Sequence, residues 1–378
     1  MKRYLWDASQ EFLGRKFLLI TGPRQVGKTT LVKNLTKDFS YYNYDIKKDM
    51  HIFKDQNWDR EKSLIIFDEL HKMKKWKLWL KGIYDEGLTE KQKFVVTGSA
   101  RLDIAKKMGD SLAGRFFSLR LHPLDIKELV STGEEPQKAY RKLLQYGGFP
   151  EPYFTGTERF YRQWQRSHAD LILRQDLIYF ESVRDIEGIE VLIELLSQRV
   201  GSVISYSSLA KDIQRDEKTI KKWLQILENL YIVFRVPVYA KNIARSKLKA
   251  GKYYFYDLGK VQGDISCRVE NLVALALKKE IEYQLDYQGI LGNLYFLQNL
   301  EKKEIDFFVE QKGSSPWLIE VKMSDHQESK NFSVFESYFK ACKKVQLVAD
   351  LDHGFTTKNG VQIRNLANYL AKLDLSLE

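Results

Sequence analysis

Phe17-Leu-Leu-Ile-Thr21-Gly22-Pro23-Arg24-Gln25-Val26-Gly27-Lys28-Thr29-Thr30-Leu-Val-Lys-Asn-Leu35 is the stretch on which the fold class turns. Its first five residues read as a buried strand and its last six as a helix. Between them Gly22 to Thr29 matches the spacing GxxxxGK[ST]. Glycines at the two ends of that loop let backbone N–H groups wrap phosphate oxygens at the positive end of a helix. Lys28 is placed to reach the β- and γ-phosphates, and the Thr29 hydroxyl to bind Mg²⁺. Gly22, Pro23, Arg24, Gln25, Val26, Gly27, Lys28, Thr29 and Thr30 are thus the candidate nucleotide-binding set. The alternative is an accidental glycine-rich turn, against which the flanking strand and helix both count.

Working outward, Leu64-Ile-Ile-Phe67-Asp68-Glu69 is a run of four apolar residues ending in two carboxylates. Acid pairs after strands are common, but after such a loop the assignment is specific: Asp68 in the Mg²⁺ shell, Glu69 polarising the attacking water. Val95-Val96-Thr97-Gly98-Ser99 is a further strand with small polar groups at its end, where Ser99, or failing that Thr97, would sense the γ-phosphate. Arg115, in Leu112-Ala-Gly-Arg115, would neutralise transition-state charge in a neighbouring subunit, or is simply a surface arginine of a basic protein. Arg24 is a nearer cation, and His71 receives no role. Strand-like runs at Phe17 to Thr21, Ser63 to Phe67, Lys93 to Thr97 and Phe116 to Leu121 alternate with helical ones, which predicts an α/β unit with a parallel sheet over residues 1–130.

The polar break Ser131-Thr-Gly-Glu-Glu-Pro136 ends that unit. A helical connector is expected over 131–187, with helix-like sequence from Arg159 to about Val183 after the turn Gly147-Gly-Phe-Pro150. From 188 to 250 the pattern is helix–turn–helix. Ile220, Trp223, Leu224, Leu227 and Leu230 fall on one face of its last helix, and a strand from Ile232 to Val238 leads into a basic loop, which predicts a winged variant. Lys211, Arg215, Lys218, Lys221 and Lys222, with Lys241, Arg245, Lys247 and Lys249 of the loop, would give salt-dependent DNA binding. A solvated or protein-binding face is the alternative, and Asp212, Asp216 and Glu217 weaken the patch.

Residues 251–378 read as a second α/β unit. It is expected to open with a strand at Tyr253 to Tyr256, followed by a helix from Arg268 to Lys279 and three strands. A helix near Phe332 to Lys343 and a strand from Val345 to Ala349 complete it. Glu304 and Asp306 share one face of their strand, and Glu320 and Lys322 one face of theirs. Asp306 and Glu320 are candidate ligands for Mg²⁺ or Mn²⁺, with Lys322 orienting or deprotonating water, as phosphodiester hydrolysis requires. The D, then ExK, spacing resembles the restriction-endonuclease-like pattern, and that resemblance implies Glu270 of the helix as the third carboxylate. An edge strand with exposed charges is the alternative.

Composition limits the remaining choices. The 378 residues are 44% hydrophobic and 13% aromatic, which suits two or three folded domains and excludes a stapled miniprotein or a disordered chain. Lys and Arg outnumber Asp and Glu by 61 to 50, a net charge of +11, which favours an anionic partner. Cys267 and Cys342 stand far apart, leaving no disulfide framework or cysteine-based zinc site. The start of the chain lacks a signal-peptide pattern and no 18-residue apolar run occurs, so a cytoplasmic protein without membrane insertion is expected.

Taken in order, Gly22 to Thr30, Phe67-Asp-Glu69, Val96-Thr-Gly-Ser99, Leu112-Ala-Gly-Arg115, Gly147-Gly-Phe-Pro150, Tyr254-Phe-Tyr-Asp257 and Glu304-Ile-Asp306 to Glu320-Val-Lys322 resemble the prokaryotic AAA-type ATPases with a C-terminal restriction-endonuclease-like domain. The resemblance implies an AAA-like core, a winged helix and a nuclease-like domain. It assigns ATP chemistry to Lys28, Thr29, Asp68 and Glu69 and a second site to Glu270, Asp306, Glu320 and Lys322. Two expectations follow. One is an ATP- and Mg²⁺-dependent ATPase, capable of homo-oligomerising, that controls a DNA-directed and metal-dependent nuclease domain. The other is a nucleotide-gated switch whose nuclease-like domain is catalytically silent.

Overall fold

The structure is a computed structural model that describes residues 1–98, 112–172, 185–240, 251–339 and 341–376. It divides into two compact units, Met1–Pro123 and Leu124–Glu378.

The first unit is built on a five-stranded parallel sheet in the order β2-β3-β4-β1-β5, where β1 is Phe17–Thr21, β2 Phe39–Asn43, β3 Leu64–Asp68, β4 Lys93–Thr97 and β5 Phe116–Arg120. Every residue of β1 and β3 is buried, as expected where helices cover both faces of a parallel sheet and the strands carry unbroken apolar runs. Below β3, Phe67 is ringed by Trp58, Trp79 and Phe53 at centroid distances of 5.5, 5.1 and 5.6 Å. Strand β2 escapes a pattern-based reading because Phe39-Ser-Tyr-Tyr-Asn43 is only half-buried along its length and lacks an apolar run.

The order of strands matters more than their number. Strand β4 lies between β1 and β3, with Ile20 opposite Thr97 and Val96 opposite Phe67. Three carboxyl ends, from parts of the sequence tens of residues apart, therefore open on one edge of the sheet. In open α/β sheets such an edge is where ligands bind.

The second unit begins with helices, among them Pro136–Tyr146 and Glu158–Asp170. Glu135 caps the first by accepting from the N–H groups of Gln137 and Lys138 at 2.8 and 2.7 Å, with Pro136 at its first position. Residues 173–184, which include the end of the expected Arg159–Val183 helix, lie outside the described residues. Helices Tyr206–Ile213 and Glu217–Asn229 follow, capped by Ser205 and Asp216. Gln214 takes the left-handed conformation, φ 57°, that turns one into the other. Ile220, Trp223, Leu224 and Leu227 are buried, so the apolar face read from sequence is the inward face.

Strands β6 (Val233–Pro237) and β7 (Gly251–Phe255) pair antiparallel with Val233 opposite Phe255. This corrects the expectation that a strand at Tyr253 to Tyr256 opens the final α/β unit: it closes a ribbon begun at Val233, and a boundary at 250/251 would fall between the ribbon's two strands. A short apolar strand carries no mark of which neighbour it pairs with, and only the fold supplies it.

The final sheet has six strands in the order β12-β13-β11-β10-β9-β8. They are β8 Gly292–Gln298, β9 Glu304–Gln311, β10 Trp317–Lys322, β11 Lys343–Val348, β12 Phe355–Thr356 and β13 Gln362–Asn365. Strands β8, β9 and β10 form an antiparallel meander, while β10, β11 and β13 run parallel. The helix Ile265–Tyr283 is buried along Val269, Leu272, Val273 and Ala276. The helix expected near Phe332 to Lys343 is shorter, Asn331–Glu336, and Lys343 belongs to β11.

Candidate functional site

Gly22 and Gly27 have φ of 141° and 99°, conformations that L side chains rarely adopt. A Cβ on Gly22 would collide with the Leu121 carbonyl oxygen. The loop between them is held from below by Arg3, whose guanidinium donates to the carbonyls of Val26 at 2.6 Å and His122 at 2.7 Å. Lys28, almost fully buried, donates through Nζ to the carbonyl oxygens of Gly22 and Pro23 at 2.9 and 2.6 Å. Its ammonium therefore spans the mouth of the loop.

Asp68, at the end of β3, collects groups from three other segments. Its Oδ2 accepts from Thr29 Oγ1 at 2.8 Å and from Tyr41 Oη at 2.6 Å. Its Oδ1 accepts from the Glu69 backbone N–H at 3.0 Å and from Thr97 Oγ1. Thr97, named as the fallback sensor, thus stands between the loop and Asp68, as the position of β4 requires. Ser99, the preferred sensor, lies outside the described residues. Sequence reasoning missed Tyr41 and Arg3. Burial and the Asp68 carboxylate push the Tyr41 hydroxyl above its ordinary range, and Asn43 Nδ2 donates to Tyr41 Oη at 3.0 Å. Its only sequence signal is the aromatic pair Tyr41-Tyr42 in a polar stretch.

Glu69 has φ 55°, a left-handed backbone that costs a residue with a side chain about 1 kcal/mol or more. That turn brings its carboxylate beside the loop. Burial raises its pKa, against the pull of Lys28, Lys72 and Arg24. Its Oε2 is buried without a hydrogen bond, 3.6 Å from His71 Nε2 and 3.5 Å from Lys72 Nζ. A magnesium–nucleotide fits these residues: a hydroxyl and a carboxylate 2.8 Å apart, a lysine over a loop of N–H groups, and a carboxylate oxygen in need of a donor. Arg115 lies differently from a free catalytic cation, since its Nε and Nη2 donate to Asp85 Oδ1 of the same chain at 3.2 and 3.1 Å.

The second unit gathers its own charges. Asp306 Oδ2 accepts from the Val321 N–H at 2.8 Å. Burial and then Glu320 push the Asp306 carboxyl up to about 7. Glu320 is buried, and its two oxygens accept from Lys322 Nζ at 2.8 Å and Asn331 Nδ2 at 3.1 Å. Glu270 accepts from Tyr254 Oη at 2.6 Å, and Gly201 approaches so closely that a Cβ there would lie 2.8 Å from Glu270 Oε2. The residues named from sequence therefore do come together.

An unforeseen residue stands among them. Lys252 of β7 is buried, with Nζ 3.4 Å from Glu270 Oε1 and paired to Glu304 Oε1. Burial disfavours its charge, but Glu270, Asp306 and Glu304 together hold its pKa above the ordinary lysine value. Among the described residues no group of three or more His, Cys, Asp or Glu is arranged to hold a metal ion. The divalent cation expected at Asp306 and Glu320 does not fit these residues: Lys322 and Asn331 bond the two oxygens of Glu320, one oxygen of Asp306 accepts from the Val321 N–H, and the Lys252 ammonium lies beside them between Glu270 and Glu304. The signal was one lysine in the apolar strand Gly251-Lys-Tyr-Tyr-Phe255.

Two other motifs of the series meet in one junction. Tyr161 Oη donates to Asp257 Oδ1 at 2.7 Å, and Gly147, at φ 67°, leaves room for both groups, a Cβ there lying 2.9 Å from that Oη.

Compared with known proteins, residues 14–130 match the family described as AAA domain, 137–262 a domain of unknown function (DUF8612) and 268–369 another (DUF4143). The chain is 24% identical over 380 residues to an uncharacterized protein of Methanocaldococcus jannaschii, covering 90% of this chain and 82% of that protein. It is 21% identical over 394 residues to an uncharacterized protein of Haemophilus influenzae, covering 93% of each. Among solved structures, a Thermotoga maritima RuvB variant aligns over 61% of this chain and 86% of its own at 17% identity and a TM-score of 0.32. The Aeropyrum pernix ORC1 protein in complex with DNA aligns over 74% and 94% at 10% identity and a TM-score of 0.35. Among the described residues no helix is long and apolar enough to cross a membrane. Residues 14–130, which carry the phosphate loop and the carboxylates at the end of β3, are thus similar to the AAA domain family.

Proposed function

We propose that this chain hydrolyses ATP at the carboxyl edge of its parallel sheet and uses the nucleotide state to control a DNA-directed C-terminal region. The observation that carries the first half is the convergence of Thr29, Thr97 and Tyr41 on Asp68 beside Glu69, whose buried Oε2 lacks a hydrogen bond. In this reading Lys28 turns from the Gly22 and Pro23 carbonyls to the nucleotide phosphates. Thr29 and Asp68 would hold Mg²⁺, which when bound would neutralise charge on the phosphates. Tyr41 and Thr97 fix the Asp68 carboxylate, and Glu69 accepts a proton from the attacking water. Phosphate release by wild type, Lys28→Ala and Glu69→Gln tests it. Lys28→Ala should lose nucleotide binding, whereas Glu69→Gln should bind ATP without turning it over, and unimpaired turnover in Glu69→Gln would remove Glu69 from its role.

Arg115 in trans, and with it a homo-oligomer, belongs to the same reading and requires the pair with Asp85 to open. Mixing Arg115→Ala with Lys28→Ala subunits should restore activity if it acts across an interface.

The second half rests on the helix pair and the β6–β7 ribbon, which we read as a winged helix. Lys218, Lys221 and Lys222 lie exposed on the first turns of Glu217–Asn229, the part of a recognition helix that meets DNA. Of the acids in this patch, Asp212 pairs with Arg199 at 2.7 Å and Asp216 caps the helix through Thr219, whereas Glu217 lies 3.5 Å from Lys221. Lys241, Arg245, Lys247 and Lys249 lie outside the described residues. A gel shift that weakens with salt, and is lost in Lys218→Glu/Lys222→Glu, is the expected result; an unchanged shift would remove this surface from the reading.

For the six-stranded sheet with its long helix we propose a restriction-endonuclease-like fold comprising Glu270, Asp306, Glu320 and Lys322. Lys252 favours the silent form of that reading, a clamp for DNA or protein. Loss of DNA cleavage in Glu320→Ala relative to wild type would restore the nuclease.

A further inference from the structure

The lysine among the C-terminal carboxylates comes from a strand outside the sheet that bears them. Glu304 and Asp306 project from one face of β9, Glu320 from β10 and Glu270 from the Ile265–Tyr283 helix. Lys252 reaches them from β7 of the ribbon. Its position is fixed on every side. Its backbone pairs with Pro237's neighbour Val236, an isolated bridge joins it to Val203, and its Nζ lies 5.4 Å from the Phe296 ring centre. A buried ammonium of this kind cannot retreat to solvent without breaking the ribbon, so it is a permanent member of the cluster.

We infer that the Lys252 ammonium serves as the built-in cation of the Glu270–Glu304–Asp306 cluster, occupying the place a divalent metal would need and so keeping this domain metal-free. Four carboxyl groups forced together repel one another, and the repulsion must be met by a bound cation, by protonation or by a protein ammonium. Here the chain supplies two ammoniums, Lys252 between Glu270 and Glu304 and Lys322 on Glu320. One further consequence is mechanical. The ion pairs tie the helix-pair ribbon to the Ile265–Tyr283 helix and to β9 through Glu270 and Glu304. The inference deepens the silent-clamp reading and does not depend on whether the clamp holds DNA or protein.

The test uses the full-length chain with Asp68→Asn, which removes the N-terminal metal ligand, and without nucleotide. Manganese binding is followed by loss of the free Mn²⁺ electron paramagnetic resonance signal, and thermal unfolding is measured with and without Mn²⁺. With Lys252 intact, no stoichiometric Mn²⁺ binding and no Mn²⁺-dependent rise in Tm are expected. Adding Lys252→Ala should create one Mn²⁺ site, tighter by about tenfold or more, that Asp306→Asn removes, and Mn²⁺ should raise the Tm of that variant by mass action. If Lys252→Ala folds poorly alone, refolding in Mn²⁺ should recover it. The inference is overturned if the Lys252-containing chain binds one Mn²⁺ that Asp306→Asn abolishes. It is equally overturned if Lys252→Ala, folded, binds none, or unfolded, is not rescued by Mn²⁺. Gel shifts on the same proteins separate the two claims, because lost DNA binding speaks against the DNA clamp and leaves the cation assignment standing.

Discussion

The two carboxylate clusters of this chain are made from nearly the same residues and arrive at opposite chemistry. At the end of β3, Asp68 and Glu69 share their surroundings with Lys28, whose ammonium is bonded to main-chain carbonyls of the loop. In the C-terminal sheet, Glu270, Glu304 and Asp306 surround Lys252 itself. In the first case the lysine stands beside the acids, and on the proposed reading a bound metal and phosphate would complete the charge balance. In the second the lysine lies among the acids and meets part of their charge, while burial raises the pKa of Glu270 and of Asp306. What separates them is where the lysine is anchored: at the first residue of the helix that follows the phosphate loop, or within a strand that is buried throughout.

The largest effect should come from breaking the closed cluster. Lys252→Ala leaves buried carboxylates uncompensated and is expected to cost about 3–5 kcal/mol of stability, read as a fall in Tm or denaturant midpoint. Lys28→Ala is the reciprocal case, expected to abolish ATP binding while changing stability by only about 1 kcal/mol. Should the two variants prove equally destabilising, the contrast between an open and a closed cluster fails.

Glu69→Gln sharpens the open side of the comparison. Loss of the proposed general base should lower kcat by about 100-fold or more, with ATP affinity preserved, as measured by phosphate release and by equilibrium nucleotide binding. Tyr41→Phe removes one donor from Asp68 and is expected to cost about 1 kcal/mol in Mg²⁺-dependent nucleotide binding. Binding measured without Mg²⁺ should be unaffected, which separates a positioning role from a packing one.

Glu228 offers a third carboxylate for comparison. Burial raises it from 4.5 to about 7, against Arg235 and Lys278, and the Tyr253 hydroxyl faces it from β7. The folded chain therefore holds the Glu228 proton more tightly than the unfolded one. Its contribution is fully present below about pH 4.5 and is lost as pH rises through about 7. Glu228→Gln should be more stable than wild type by about 2 kcal/mol at pH 8, allowing for partial solvent screening, and equal to it near pH 4. Parallel pH–stability curves for the two proteins would refute the assignment.

Much of the N-terminal site was legible because it is local. A strand, a glycine loop and a helix are contiguous between Phe17 and Leu35, and an apolar run ending in Asp68-Glu69 marks a strand end. The residues that escaped notice act from a distance. Arg3 lies 23 residues from the carbonyl it holds at Val26, and Tyr41 lies 27 residues from Asp68. Neither interrupts a pattern in its own segment. The C-terminal residues were named for the same reason as Asp68, since charges in apolar strands stand out, and their meeting follows from the alternation of β9 and β10.

The parallel α/β unit, the phosphate loop, the helix pair and most charged residues of both clusters are readable in the chain's own order of residues, because each is written in short-range spacing and periodicity. Tertiary structure alone decided that β4 lies between β1 and β3, so that Thr97 meets Asp68, and that β7 pairs with β6 and delivers Lys252 to the C-terminal carboxylates. Strand order and strand partnership depend on which faces must be buried against one another, a property of the whole chain that no single segment carries.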